Sequence, residues 1–270
     1  MNTLLRRFFI LAAVLLCCTA LANAYDAQID GIYYNFDKAN GTATVTSGGS
    51  KYEGDITIPA KVTYESKEYI VTSIGAGAFA NSYALASITI PSGVTSIGAS
   101  AFYWCSNLAS ITIPSAVTSI GDNAFAECDK LTSVTFEEGS KLESIGASAF
   151  YKNYALTSIT IPSGVTSIGA SAFYQNFALA SITIPSSVTS IGDNAFNDCR
   201  NLASMTFEEG SKLESIGAGA FANSYALESI TIPSAVTSIG DSTFYNCSNL
   251  ATVTFEEGSK LESIGAGAFA

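Results

Sequence analysis

The pattern of apolar and polar positions changes twice along the chain. Residues 8–21 form a largely apolar run. Residues 25–72 alternate apolar and polar positions over short stretches, and one apolar pattern recurs from residue 73 onward. Alternation with a period of two predicts half-buried strands, and a fixed repeat of roughly 20 to 50 residues predicts a solenoid. The chain is therefore predicted to contain an N-terminal signal, a β-rich segment and a repeat array.

Regularly spaced phenylalanines mark the repeat. Each follows an alanine, or a threonine in one copy, and the spacing is 23 or 25 residues. In the longer copies the six residues Phe-Glu-Glu-Gly-Ser-Lys, beginning at Phe136, Phe207 and Phe255, stand where other copies have the four residues Ile-Pro-Ser-x. Two residues are thus added at one turn while the pattern on either side is kept. The phenylalanines are Phe79, Phe102, Phe125, Phe150, Phe173, Phe196, Phe221, Phe244 and Phe269.

The copy at residues 108–128 shows how each repeat is predicted to begin. Ile111 and Ile113 flank Thr112, so a strand here places both isoleucines on one side and the threonine on the other. Pro114 ends that strand because it has no amide hydrogen to donate to a neighbour.

The second half of the same copy is predicted to complete the coil and bring the chain back to the start of the next one. Val117 and Ile120 face inward from a second extended piece, and Gly121 makes the bend after it. Residues 122–125 are predicted to form a helical or 3₁₀ turn capped by Asp122. The predicted fold class is a β-rich repeat solenoid, with short strands and a one-turn helix in each coil of 23–25 residues.

The two ends of the array are predicted to differ. Residues 28–36, 41–46, 55–58 and 69–71 are predicted strands, so residues 25–72 should form an N-terminal β-rich cap that pairs with the first coil. Repeats occupy residues 73–270 and stop one residue after the last phenylalanine, without a polar closing unit. We therefore expect an open C-terminal end.

Residues 1–24 have the features of a signal peptide. Arg6 and Arg7 precede the apolar run, and Ala22-Asn23-Ala24 supplies the small residues that signal peptidase requires, which predicts cleavage before Tyr25. Lipid attachment at Cys17 is an alternative, although Leu16 is large for a lipoprotein cleavage site. The mature chain is expected to be secreted or on the cell surface, with no membrane span.

Composition excludes several classes of function. The chain has no histidine, so Ser-His-Asp and Cys-His nucleophile systems and the commonest metal ligand are absent. The formal charge is -11, and losing the two arginines of the signal peptide leaves ten basic and 23 acidic residues, a charge of -13. Such an acidic chain argues against nucleic-acid binding. We expect no enzyme activity, no metal and no cofactor.

The repeat consensus L-x-x-I-T-I-P-x-x-V-T-S-I-G-x-x-A-F-x-x-C-x-x-L resembles the BspA-like, or Treponema-type, leucine-rich repeat. The resemblance covers residues 73–270. It implies a leucine-rich-repeat solenoid in a non-enzymatic surface protein of the kind that binds host matrix proteins, other microbes or epithelial cells. The predicted function is adhesion to host or microbial proteins; the alternative is a structural spacer or glycan-binding module of a larger surface assembly. The oligomeric state is left open.

One threonine per coil is predicted to face outward from the strand. These residues could form a hydroxyl-lined binding face, including an ice-like template, or could be present because threonine suits half-exposed strands. They are Thr89, Thr112, Thr135, Thr160, Thr183, Thr206, Thr231 and Thr254.

Four cysteines occupy one equivalent position, three residues after the repeat phenylalanine: Cys105, Cys128, Cys199 and Cys247. Buried thiols are the expected state. A disulfide between the neighbouring Cys105 and Cys128 is an alternative, whereas Cys199 and Cys247 are two coils apart and too distant.

Copies without this cysteine have an aromatic residue at the next position. The pairs are Ser82 with Tyr83, Asn153 with Tyr154, Asn176 with Phe177, and Ser224 with Tyr225. The ring could simply cover a polar corner, or it could belong to a ligand-contact stripe, because exposed aromatic residues often anchor protein interfaces. The candidate contact residues are Trp104, Tyr151, Tyr154, Tyr174 and Phe177.

Overall fold

The computed structural model describes residues 25–270, so the predicted signal peptide at residues 1–24 lies outside the described residues. The N-terminal part forms six strands. Strands β1, β2 and β3 are antiparallel neighbours, and β5 pairs antiparallel with β6. β6 joins β3 on one side and the first coil on the other, both in parallel. The strands are β1 (Ala27–Ile29), β2 (Ile32–Asp37), β3 (Thr42–Thr46), β4 (Glu53–Thr57), β5 (Lys61–Tyr64) and β6 (Lys67–Ile74).

Two tight turns in this segment differ from the predicted strands. The strand expected over residues 28–36 is divided by Asp30 and Gly31, which have φ values of 48° and 83°. Glu65 and Ser66, with φ values of 50° and 63°, join β5 to β6, and β5 was not predicted. Positive φ at both central residues is typical of two-residue hairpin turns, and Asp-Gly is a usual sequence for one.

Each coil contributes one strand to a continuous parallel sheet. These strands are two residues long, Ser-Ile in every coil, and each pairs with the same strand of the next coil from β6 onward. They are β8 (Ser96–Ile97), β10 (Ser119–Ile120), β12 (Ser144–Ile145), β14 (Ser167–Ile168), β16 (Ser190–Ile191), β18 (Ser215–Ile216), β20 (Ser238–Ile239) and β22 (Ser263–Ile264).

The other strand of each coil contains the predicted outward threonine, or in one coil ends just before it, and is paired less regularly. Its sheets are β4 with β7, then β9 to β11 to β13, then β15 with β17, and β19 with β21. The strands are β7 (Ala84–Thr89), β9 (Ser110–Ile113), β11 (Ser133–Phe136), β13 (Ser158–Ile159), β15 (Ser181–Ile184), β17 (Ser204–Phe207), β19 (Ser229–Ile232) and β21 (Thr252–Phe255).

The predicted one-turn helix in each coil is wrong: no residue from 25 to 270 is helical. Within the expected helical turn Asn123 has a φ of 55°, and Glu127 just after it has a φ of 58°, both in the left-handed region. Alternate amides point to the next coil, so Asn123 N–H donates to Ala147 O and Phe125 N–H donates to Ala149 O, both at 2.8 Å. A helix would direct all of these amides along its own axis. The same part of the chain consequently contains no helix of a length and apolarity that could cross a membrane.

The capping role predicted for Asp122 is also different in the structure. Its Oδ1 accepts a hydrogen bond from Ala147 N of the following coil at 2.8 Å, so the carboxylate joins two coils. Asp193 and Asp241 make the same bond at equivalent positions. Each of these aspartates precedes one of the 25-residue copies.

One continuous apolar interior runs through the coils. The repeat phenylalanines are stacked on one another, with ring centroids 5.0 to 5.7 Å apart. Ile111, Ile113, Val117 and Ile120 of the analysed copy are all buried, as predicted. The interior of each coil is therefore completed by its neighbours, which explains why the repeat occurs as an array.

The glycine of the Ser-Ile-Gly motif lies where two coils approach most closely. Gly121 N–H donates to Ile97 O of the preceding coil at 2.9 Å. A Cβ added at Gly121 would lie 2.5 Å from Ala99 N, closer than atoms can pack. The glycine is thus required by the spacing between coils, in addition to the predicted bend.

We expect Gly169→Ala to destabilise the array. Its Cβ would lie 2.6 Å from Ala147 N, so neighbouring backbone has to move, and overpacking of this kind costs about 1 to 3 kcal/mol. The measurement is the denaturant midpoint followed by circular dichroism. Gly49→Ala is the control, because nothing lies within 4 Å of its added Cβ. Equal midpoints for the two variants would contradict this explanation of the glycine.

Candidate functional site

The threonines proposed as a binding face are all exposed, but strand pairing joins only some of them. The structure pairs Thr112 with Thr135, Thr183 with Thr206, and Thr231 with Thr254. Thr89 pairs instead with Thr57 of the cap, and Thr160 follows the last paired residue of β13. The hydroxyls are therefore presented in separate groups. A role for them in binding stays a prediction.

The cysteine position makes one conserved type of contact between coils. Each thiol donates to the carbonyl of the repeat phenylalanine in the preceding coil, at 3.1 to 3.2 Å. Where cysteine is absent, the replacing side chain donates to the same carbonyl: Asn153 to Phe125 O, Asn176 to Phe150 O and Ser224 to Phe196 O. The first coil is different, because Ser82 Oγ accepts a hydrogen bond from Tyr52 N of the cap. The position therefore has a structural role whichever residue occupies it.

The four thiols at this position are free and buried. Burial is the main cause that raises the pKa of Cys105 and Cys199 to about 12 and that of Cys247 to about 11. Burial also raises the pKa of Cys128 well above its usual range. Thiolate is the reactive form of cysteine, so these groups are not built for nucleophilic chemistry.

The adjacent glutamates of the longer copies, Glu137-Glu138, Glu208-Glu209 and Glu256-Glu257, also have a structural role. Glu137 Oε2 accepts a hydrogen bond from Ser115 N of the preceding coil at 3.0 Å. Glu208 and Glu256 accept the corresponding bonds from Ser186 and Ser234. One carboxylate of each pair thus secures the inserted turn to its neighbour, and no group of residues suited to a metal ion occurs in the described chain.

Four of the five candidate contact residues form two stacked pairs. The ring of Tyr151 lies over that of Tyr174, and the ring of Tyr154 over that of Phe177, each with centroids 5.1 Å apart. Tyr154 is 38% exposed. The Arg200 guanidinium lies 4.5 Å from the centre of the Phe177 ring. We call the surface formed by these aromatic residues and Trp104 the aromatic edge.

Trp104 lies near these pairs and has its own neighbours. Its ring contacts Tyr83 and Tyr103, with centroids 6.0 and 5.4 Å away. Its indole Nε1–H donates to Glu127 Oε2, and Tyr103 donates to the other oxygen of the same carboxylate. Glu127 therefore fixes the orientation of the tryptophan.

A depression brings Trp104 and Tyr154 together. It has a volume of about 460 Å³ and is lined by Tyr83, Trp104, Ser106, Glu127, Asp129 and Tyr154. We call it the Trp104 depression. The sequence analysis did not identify its two carboxylates, because acidic residues occur at these repeat positions in only some coils. Burial, followed by the charge of Glu127, raises the pKa of Asp129 above its usual value.

We expect the same substitution at two asparagines to have opposite effects. Asn153 Oδ1 accepts from Cys128 N at 2.9 Å, whereas the buried Asn176 Oδ1 has no hydrogen-bond partner within residues 25–270. Asn153→Cys should cost about 1 to 3 kcal/mol because a buried amide loses its acceptor. Asn176→Cys keeps a donor to Phe150 O and should be neutral or stabilising. Denaturant midpoints measure both, and an equal loss at the two sites would contradict the assignment.

We expect the native thiols to resist alkylation at pH 8. Their raised pKa values leave almost no thiolate at this pH, because deprotonation requires pH near 11 to 12. Mass spectrometry after iodoacetamide treatment should find an unmodified folded chain from Tyr25, and four modified cysteines in guanidinium without reductant. Modification of only two in guanidinium would establish the Cys105–Cys128 disulfide instead.

Comparison with known proteins places this architecture in a family. The family model for the BspA type leucine-rich repeat region matches residues 72–186 and 166–270, in six copies. A solved leucine-rich repeat protein from Bacteroides ovatus ATCC 8483 is 28% identical, with a TM-score of 0.58 over 91% of this chain and 80% of that one. The T. pallidum leucine-rich repeat protein is 27% identical, with a TM-score of 0.66 over 75% of this chain and 90% of that one. No curated protein matches. The resemblance in the repeat consensus is confirmed, and the chain belongs to the BspA-type leucine-rich repeat family.

Proposed function

We propose that this chain is a non-enzymatic binding module, secreted or held at the cell surface, that attaches to host or microbial proteins through its aromatic edge. The observation that carries the proposal is the pair of ring stacks on neighbouring coils, Tyr151 with Tyr174 and Tyr154 with Phe177. Leucine-rich repeat proteins generally bind other proteins, which supports the same class of function.

The arrangement of the rings favours contact over simple coverage of a polar corner. Asn153 and Asn176 are fully buried, and their amide groups donate to backbone carbonyls. The rings that follow them lie against each other across the coils and leave Tyr154 partly exposed. Large aromatic surfaces with polar surroundings are common anchors of protein interfaces.

Chemistry elsewhere on the molecule supports a binding role over an enzymatic one. The thiols are buried, with raised pKa values, and the Glu137 carboxylate accepts a hydrogen bond from a backbone amide of the neighbouring coil. The other face, with the grouped threonines, is consistent with a spacer or glycan-binding module, which we keep as the alternative outcome of the test.

We expect the double variant Tyr154→Ala and Phe177→Ala to lose protein binding while the fold is retained. Neither ring is buried in the continuous interior, so their truncation should lower the melting temperature by several degrees and leave the array folded. Binding would be measured by surface plasmon resonance against purified matrix proteins and, separately, polysaccharides.

Tyr245→Ala is the matched control, because this tyrosine is 50% exposed but lies outside the aromatic edge. Saturable protein binding that survives in the control and is lost in the double variant supports the proposal. Binding to polysaccharides alone, or to neither panel, would overturn it in favour of the alternative.

A further inference from the structure

The Trp104 depression combines two kinds of surface that favour a cation. Trp104 and Tyr154 are 39% and 38% exposed and supply aromatic faces, and Glu127 and Asp129 supply carboxylates. A cation gains from the negative face of an aromatic ring, and more so when a carboxylate is within reach.

A nearby part of the same surface already holds a guanidinium in this way. Arg200 stacks on Phe177 at 4.5 Å while its Nε and Nη2 donate to the two oxygens of Asp198, at 2.7 and 3.2 Å. The guanidinium is planar, so it can stack on a ring and bond a carboxylate with two donors at once. The chain thus contains an internal example of arginine held between an aromatic ring and an acid.

Repeat positions relate this example to the depression. Ser106 follows Cys105 as Arg200 follows Cys199, so the two residues are equivalent. Tyr83 lies one coil before Ser106, as Phe177 lies one coil before Arg200. Ser106 is too short to cover Tyr83 as Arg200 covers Phe177. It lines the depression together with Tyr83 and Trp104, whose rings are 6.0 Å apart.

The basic side chains around the depression make other contacts, although the charge of Lys152 also interacts with Glu127. Lys152, whose charge acts on the Asp129 carboxyl, lies 5.1 Å from the centre of the Tyr151 ring. Lys130 donates to Asn107 Oδ1, and Lys51 to Ala80 O. Within residues 25–270 neither Glu127 nor Asp129 forms a salt bridge. Both Glu127 oxygens accept hydrogen bonds from Tyr103 and Trp104, so among the described residues Asp129 is the carboxylate of the depression left to pair with a cation from outside.

We propose that the Trp104 depression binds an arginine side chain presented by a protein partner, stacked against Tyr83 and Trp104 and paired with Asp129. This inference rests on the proposed function, since it names the chemistry that the aromatic edge recognises. The internal Arg200 arrangement favours arginine over lysine, because the planar guanidinium both stacks and donates two hydrogen bonds.

Trp104 is the only tryptophan in the chain, so its fluorescence reports on the depression directly. The probes are the blocked tripeptides Gly-Arg-Gly and Gly-citrulline-Gly, which have similar shapes but differ in charge. We expect a saturable change in tryptophan emission with the arginine peptide, weakened by salt, and at least tenfold weaker binding of the citrulline peptide. Equal responses to both peptides, or no saturable response, would overturn the proposal, and stronger binding of Gly-Lys-Gly would overturn the choice of arginine.

Variants distinguish binding inside the depression from a general attraction of the cationic peptide to the acidic protein. Ser106→Arg should fill the depression with an internal guanidinium and abolish the response to the arginine peptide. Ser248→Arg adds the same side chain at the equivalent position of a distant coil and should leave the response intact. Asp129→Asn should weaken binding of the arginine peptide about tenfold. If Ser106→Arg fails to fold, unchanged affinity in Asp129→Asn would contradict the proposal. Full peptide affinity in a folded Ser106→Arg variant would contradict the proposal.

The two proposals fail in different ways. Peptide binding at Trp104 without any binding to the protein panel would contradict the adhesion function and leave the arginine site. Protein binding that depends on Tyr154 and Phe177, but no response to the arginine peptide, would contradict this inference and leave the adhesion function.

Discussion

The close approach of successive coils at the Ser-Ile-Gly glycine is the constraint on which the rest of the structure depends. Gly121 donates to Ile97 O across a gap too narrow for a Cβ, so each coil must repeat the backbone path of its neighbour. Extra residues are tolerated only at a turn away from this contact. The longer copies insert there, and the Glu137 carboxylate accepts a hydrogen bond from a backbone amide of the preceding coil at that turn.

The periodic pattern was sufficient to predict the coils and their interior, because Ile111, Ile113 and Val117 are apolar for the same local reason in every copy. It was insufficient at residues 122–125, where Asp-Asn-Ala-Phe suits a capped helical turn. The left-handed backbone at Asn123 is stabilised by a hydrogen bond to Ala147, a residue of the next coil. The local sequence does not show that the acceptor for this amide lies in the next coil, so the helix was predicted wrongly.

The candidate site was partly predictable for a related reason. Equivalent repeat positions lie in columns on the surface, so Tyr154 and Phe177 could be placed side by side from their spacing. Glu127 and Asp129 occupy outward columns in which most coils carry other residues, and no period marks them. Their importance comes from the particular neighbours of one coil, Trp104 before and Tyr154 after, and emerges only when the columns are assembled. The repeat thus determines the scaffold, while departures from it form the surface proposed for binding.

Native-state hydrogen exchange tests the central claim most directly, because it follows the amides that join one coil to the next. The amides of Gly121, Gly169 and Phe125 should be strongly protected, with protection falling in the last coil, where Ile264 is half exposed. If contacts between neighbouring coils stabilise the array, amide protection should vary gradually from coil to coil and be greatest in the middle. Rapid exchange of these amides in the central coils would contradict the account, because it would show that the close contacts between coils do not hold the array together.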